Sequence, residues 1–188
     1  MFRRALTGLL ATTAMTAALV AGTAPQAAAS EDDGVHAAVV TITYSDARAG
    51  EFVNAVAQGI AIWNASVTNV RIVKAAAGQR ADVQVIADNG WPRATLGPVR
   101  PGGSGTVWFG REAVNDGYSV VRIASHEFGH ILGLPDRKPG PCTSLMSGSS
   151  AGVSCTNPNP NSTERSRVQS LYAGQVAPHA DAGKVLVG

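Results

Sequence analysis

The sequence predicts an α+β domain: a twisted mixed sheet packed on one long helix and on a second helix that carries the candidate site. A small C-terminal subdomain with a final helix closes it. Three observations predict this. A β-branched run at residues 39–44 is followed by a helical apolar pattern over 48–65 and then by two more β-branched runs. That order describes a helix packed on a sheet, with a crossover between the first strands. Residues 118–132 show a second helical pattern that is apolar on most faces yet holds two histidines and a glutamate. The chain has 188 residues, of which about 150 remain after a leader; that is one domain's worth, with no repeats and no linker.

The leader is residues 1–29. Arg3 and Arg4 make a short positive start, residues 6–20 are apolar, and Ala27-Ala28-Ala29 supplies the small residues of a cleavage site. The apolar run is short and broken by threonine, which argues against a membrane anchor. Residues 30–38 follow as a short pro-segment or disordered stub with Glu31, Asp32 and Asp33; His36 reads as a tail residue, and no cysteine is present there to cap a metal. Removing Arg3, Arg4 and these three acids moves the formal charge from +2 to +3. So mild a charge, with scattered basic residues, excludes nucleic acid and a membrane surface as expected partners.

The main domain is expected over 39–175, with a C-terminal tail at 176–188. Its first strand is 39–44. The helix over 48–65 sets Phe52, Val53, Val56, Ile60 and Trp63 near one face, with Trp63 in the core. Strands at 70–74 and 82–87 flank the turn-prone Ala77-Gly78-Gln79. Residues 89–104 are rich in Pro and Gly, with a short edge strand expected at 94–97, and 105–111 reads as the last strand before the site helix. An edge strand within 93–110 is the expected dock for an extended peptide, because an edge offers unpaired backbone groups. Asn161 with Glu164 three residues later resembles a capping box, opening a final helix over 162–173. His179 and Asp181 fall in the tail and are poor metal ligands.

The chemistry sits in His126-Glu127-Phe128-Gly129-His130-Ile131-Leu132-Gly133-Leu134-Pro135-Asp136. Histidines at i and i+4 share one helix face, one turn apart, and can bind one Zn²⁺. Glu127 follows the first ligand and can act as general base without ligating. Gly133 can adopt the left-handed conformation that ends a helix, and Pro135 stops it from resuming. The chain can then return Asp136 as third ligand. Three protein ligands leave a fourth position for water, the pattern of a catalytic site. Burying two histidines and a glutamate in an apolar helix is costly unless something satisfies them, and zinc would.

Cys142 and Cys155 are the only cysteines. In an exported chain they point to a disulfide, worth roughly 3 kcal/mol by the chain-entropy model. Zinc ligation is the competing reading, at a spacing wrong for a zinc ribbon. The loop they bracket holds Ser144-Leu145-Met146-Ser147-Gly148.

The extended motif resembles the long metzincin signature, with Asp136 where most metzincins carry a third histidine. That replacement resembles the snapalysin family of small secreted bacterial zinc metalloproteases. Further matches are Ile62-Trp63-Asn64-Ala65-Ser66-Val67, the 142–158 loop and Glu164-Arg165-Ser166-Arg167-Val168. The resemblance implies a metzincin-like fold with Met146 in a tight turn beneath the metal. It implies a secreted, extracellular endopeptidase with one catalytic Zn²⁺ held by His126, His130 and Asp136, and a preference for aromatic residues after the cleaved bond. Its partners would be protein or peptide substrates and a proteinaceous inhibitor, and the protein would be a monomer. Two departures stand out. Family members tend to carry a tyrosine soon after the ligand aspartate; here Arg137-Lys138 follows, making Lys138 a candidate oxyanion helper. Calcium sites of the family use oxygen side chains before the site helix; Ser119, Val120 and Val121 offer little, so calcium is not expected. The alternative is a catalytically silent secreted zinc-binding module that binds peptide or protein. Glu127 argues against it, because binding alone needs no carboxylate beside the ligand.

Overall fold

The computed structural model of the protein describes residues 38–174 and 183–188. The expected export signal, all but the last residue of the acidic stub, and His179 and Asp181 lie outside these residues. No helix among the described residues is long and apolar enough to cross a membrane.

Strand β1 (Val40–Arg48) runs four residues past its expected end. Its alternation continues beyond Tyr44, with Ile42, Tyr44 and Asp46 buried, and Lys74 reaches Asp46 at 2.8 Å. Helix α1 (Val53–Ser66) starts five residues later than its apolar pattern suggests. The cause is Gly50, whose φ of 56° does not belong to a right-handed helix; a 3-10 turn over Gly50–Phe52 follows it. Strands β2 (Val70–Lys74) and β3 (Val83–Asp88) both pair parallel with β1, on opposite sides. The short turn between them therefore does not make a hairpin.

Strand β4 (Arg93–Thr95) is antiparallel to β5 (Gly105–Gly110), which is parallel to β3. A short helix α2 (Arg111–Asn115) separates β5 from the site helix α3 (Val120–Ile131). A loop with a bent 3-10 segment (Leu145–Ala151) and helix α4 (Ser162–Tyr172) complete the domain. The capping box forms as expected: Glu164 N–H donates to Asn161 Oδ1 at 2.9 Å and Asn161 N–H to Glu164 Oε2 at 2.7 Å. Helix α2 and a last strand were not foreseen. Residues of the tail form β6 (Val185–Val187), antiparallel to β4, so the sheet order is β2-β1-β3-β5-β4-β6. The physical reason is the unpaired edge of β4, which a Val-Leu-Val segment can extend.

Helices α1 and α3 pack against each other. Gly59 permits a close approach, since a Cβ there would lie 2.8 Å from Ser125 N. The Trp63 indole N–H donates to Ser125 O at 2.8 Å, locking the two helices. Tyr44 of β1 meets the edge of Phe128 of α3 at 6.3 Å, and Phe52 stacks on Phe109 at 4.2 Å.

The C-terminal end of α3 is held from outside as well as by its own cap. Gly133 takes a φ of 98°, and Leu134 N–H returns to Gly129 O at 2.9 Å. Gly97 N–H donates to His130 O at 2.8 Å and Val99 N–H to Ile131 O at 3.0 Å. These bonds satisfy helix carbonyls that would otherwise be orphaned. A Cβ at Gly97 would overlap Ile131 O, a backbone atom that cannot swing away. Gly97→Ala is therefore expected to cost about 2 kcal/mol or more, measured as a lower urea midpoint at unchanged slope.

Candidate metal centre

Every residue of α3 from Arg122 to Ile131 is buried. His126 and His130 point the same way, one turn apart, with ring centroids 4.6 Å apart and planes at 84°. The cap at Gly133 and the turn after it bring Asp136 across. Asp136 Oδ1 lies 3.3 Å from His126 Nε2 and 3.6 Å from His130 Nε2, ion-pair distances without hydrogen-bond alignment. One ligand atom from each of the three residues falls within 4.8 Å of the others.

The other ring nitrogens are already committed. His126 Nδ1 meets Leu145 O at 3.0 Å, and His130 Nδ1 meets Leu134 O at 2.7 Å. A carbonyl can only accept, so each Nδ1 carries a proton, and in the neutral ring Nε2 is the atom free to ligate. These Nε2 atoms, Asp136 Oδ1 and both oxygens of Glu127 are buried without a hydrogen-bond partner. So many orphans facing one another is a heavy cost unless a cation fills the gap. A tetrahedral ion with bonds of about 2.0–2.1 Å places its ligand atoms about 3.3 Å apart. The separations of 3.3 and 3.6 Å fit that spacing. Two imidazoles and a carboxylate are donors suited to zinc.

The electrostatics separate the two histidines: burial opposes charge on His126, yet the Asp136 and Glu127 carboxyls and Leu145 O outweigh it and raise this ring above its usual value. Burial, with His126 nearby, drives His130 down to about 3, so it is neutral at physiological pH and ready to ligate. Burial also works against charge on Asp136, yet the two histidines and Lys138 outweigh it and hold this carboxyl below its usual range. Burial pushes Glu127 up to about 7, against the pull of His126, Lys138 and Arg93.

Beneath the histidines lies the loop closed by the Cys142–Cys155 disulfide, with Cα atoms 5.5 Å apart. The pairing expected from the sequence is present. Met146 is buried there, and its side chain packs against Gly129, where a Cβ would meet Sδ at 2.6 Å. Arg137 N–H donates to Met146 O at 2.8 Å, tying the loop after Asp136 to this turn.

Two charged residues grip the turn, and the sequence reading missed both in this role. Arg122, one helical turn before His126, donates to Ser144 O at 2.9 Å, Ser147 Oγ at 3.0 Å, Leu145 O at 3.3 Å and Asn157 O at 2.6 Å. Glu164, recognised from sequence only as a capping residue, accepts from Ser144 Oγ at 2.8 Å, Met146 N–H at 2.9 Å and Leu145 N–H at 3.2 Å. The guanidinium takes the turn's carbonyls and the carboxylate takes its amides. Leu145, whose carbonyl orients His126, sits between them. The signal available for Arg122 was its i−4 relation to His126 on a helix otherwise apolar. Lys138 reaches the site too, with Nζ 3.5 Å from Asp136 Oδ2. Beside Glu127 a cleft is walled by Trp91, Pro92, Tyr118, Ile123 and Ser149.

A family model described as the Streptomyces extracellular neutral proteinase (M7) family matches residues 39–175. The chain belongs to that family. This is the snapalysin family that the motif resembles. The extracellular small neutral protease of Streptomyces lividans is 44% identical over 137 residues, 73% of this chain and 59% of that protein. The protein of the same description from Streptomyces caespitosus is 42% identical over 134 residues, 71% of this chain and 98% of that protein. The chain thus spans about three fifths of the Streptomyces lividans relative and nearly all of the Streptomyces caespitosus one. Among solved structures, high choriolytic enzyme 1, a hatching enzyme zinc-protease from Oryzias latipes, shows a slight likeness. It has 24% identity, a TM-score of 0.39, and coverage of 52% of this chain and 46% of that one. The mixed sheet, the two packed helices and the turn bearing Met146 agree with the fold class expected.

Cutting the guanidinium away leaves the turn's carbonyls and Glu164 without their counterpart. Arg122→Met should cost about 3 kcal/mol in stability and weaken zinc binding, because Leu145 O loses its anchor. Competition with a chromogenic chelator reads the second effect, and unchanged zinc affinity would rule out the positioning role.

Proposed function

We propose that the protein is a secreted zinc endopeptidase that hydrolyses peptide bonds in extracellular proteins. The observation that carries this reading is the convergence of three orphaned ligand atoms beside an unpaired, buried Glu127. Membership of the M7 family supports it, as do the relatives named extracellular proteases.

In this reading His126, His130 and Asp136 hold one zinc ion. Zinc supplies Lewis acidity toward the attacking water and the scissile carbonyl when bound. Glu127 takes the proton of the attacking water and hands it to the leaving amine. Lys138 lends a positive charge on the same side and serves as oxyanion helper in place of the tyrosine found in relatives. Met146 packs under the histidines and keeps them rigid without binding the metal. The substrate lies extended along β4, read mainly through its backbone. Trp91, Tyr118 and Ile123 wall a cleft next to Glu127 that suits an aromatic side chain after the cleaved bond.

Two variants test the roles separately. Glu127→Gln should retain zinc and lose about 10³-fold in kcat on casein and on a fluorogenic peptide. Asp136→Ala should lose zinc affinity by more than the roughly 10–100-fold typical of outer-shell changes. Wild-type protein that holds zinc yet cleaves no peptide would overturn the endopeptidase reading. A Glu127→Gln variant of full activity would remove the carboxylate from its role.

A further inference from the structure

The tail makes the contacts that a bound peptide would make. Strand β6 lies antiparallel on the outer edge of β4, with Val185, Leu186 and Val187 opposite Thr95, Ala94 and Arg93. The ladder continues at both ends. Leu96 N–H donates to Lys184 O at 2.6 Å, Gly183 N–H to Leu96 O at 2.8 Å, and Gly188 N–H to Pro92 O at 2.9 Å. The run then heads straight into the candidate metal centre. A Cβ at Gly188 would overlap Glu127 Oε1 and lie 3.3 Å from His126 Cδ2. Lys138 Nζ donates to Val187 O at 2.9 Å, and the Trp91 indole N–H donates to Gly188 O.

This strand is not held as a core strand is. Val185 and Val187 are 46% and 50% exposed, so little side-chain burial fixes them. The attachment is through backbone bonds, which any extended peptide could form in the same register. Residues 183–188 also lie beyond the 39–175 matched by the family model.

We infer that residues 183–188 are an internal ligand of the substrate groove, competing with extended peptides for the edge of β4 and covering Glu127 and His126 while bound. The inference rests on the endopeptidase reading for its consequence, since only an enzyme is inhibited by it. The contact itself is independent of that reading. A tethered peptide has an effective concentration of about 1 mM. Against an inhibition constant on the order of 0.1 mM, within the usual range of substrate affinities, occupancy would raise the apparent KM by about tenfold and leave kcat alone.

The test compares the zinc-loaded full chain with a version lacking residues 183–188 and with full-length Leu186→Pro, since proline cannot continue a paired strand. Hydrogen exchange at the Leu96 amide reads docking without any reference to activity: it should be protected in the full chain and fast in both variants. KM for a fluorogenic peptide should fall about tenfold in both, and the synthetic peptide Gly-Lys-Val-Leu-Val-Gly should inhibit the shortened enzyme competitively. Equal exchange at Leu96 in all three proteins, or an unchanged KM, overturns the inference. Protection that rises with protein concentration assigns the strand to a second copy and overturns it as an intramolecular device. If the shortened protein holds zinc and cleaves nothing, the endopeptidase reading fails, while protection at Leu96 in the full chain still upholds the tail as ligand of the groove.

Discussion

Buried polar atoms must find partners, and among the described residues there is a cluster for which the protein itself does not supply them. Two imidazole nitrogens, an aspartate oxygen and both oxygens of a glutamate face one another with no hydrogen bond. Much of the structure serves to make that arrangement tolerable. Gly59 and Trp63 bring α1 against α3, which is buried from Arg122 to Ile131. Gly97 and Val99 take up its last carbonyls, and Gly133 turns the chain so that Asp136 returns to the same point. Each of these serves to fix the direction of a donor atom, and a cation is the one partner that would satisfy all of them together.

The orientation of the first histidine depends on charge placed well away from the metal. Leu145 O can hold His126 Nδ1 only if the turn carrying it is rigid. Arg122 and Glu164 reach that turn from different helices and divide its backbone between them, carbonyls to one and amides to the other. The disulfide closes the same loop from outside. A buried opposite-charge arrangement of this kind is a poor source of net stability, because desolvation offsets most of its attraction. Its value here is geometric: it sets the position of one carbonyl oxygen, and through it the angle of one imidazole ring.

What the sequence disclosed follows from how local each feature is. The pair His126 and His130 was legible because helical spacing alone puts both rings on one face. Glu127 was legible as their neighbour, and Asp136 through Gly133, Pro135 and the family pattern. The capping box at Asn161 and Glu164 was legible for the same reason, since it closes within one turn. The second task of Glu164 was not, because its partners Ser144, Leu145 and Met146 lie about twenty residues earlier and meet it only in the folded chain. The start of α1 was misplaced because apolar periodicity ran on through Gly50, while the backbone did not. Strand β6 escaped notice because a Val-Leu-Val segment near the end of a chain carries no sign of which edge it will join.

The enclosure of α3 also decides how the protein would respond to losing its metal. In small zinc modules the ligands are scattered over loops, and folding and metal uptake are one event. Here the ligand-bearing helix is buried from Arg122 to Ile131, and both imidazoles are aimed by main-chain carbonyls. The polypeptide thus bears part of the ordering cost through its own bonds. Removing a bound ion is expected to cost stability at the site, where the orphaned atoms lose their partner, while the surrounding main-chain contacts are still made by the protein itself.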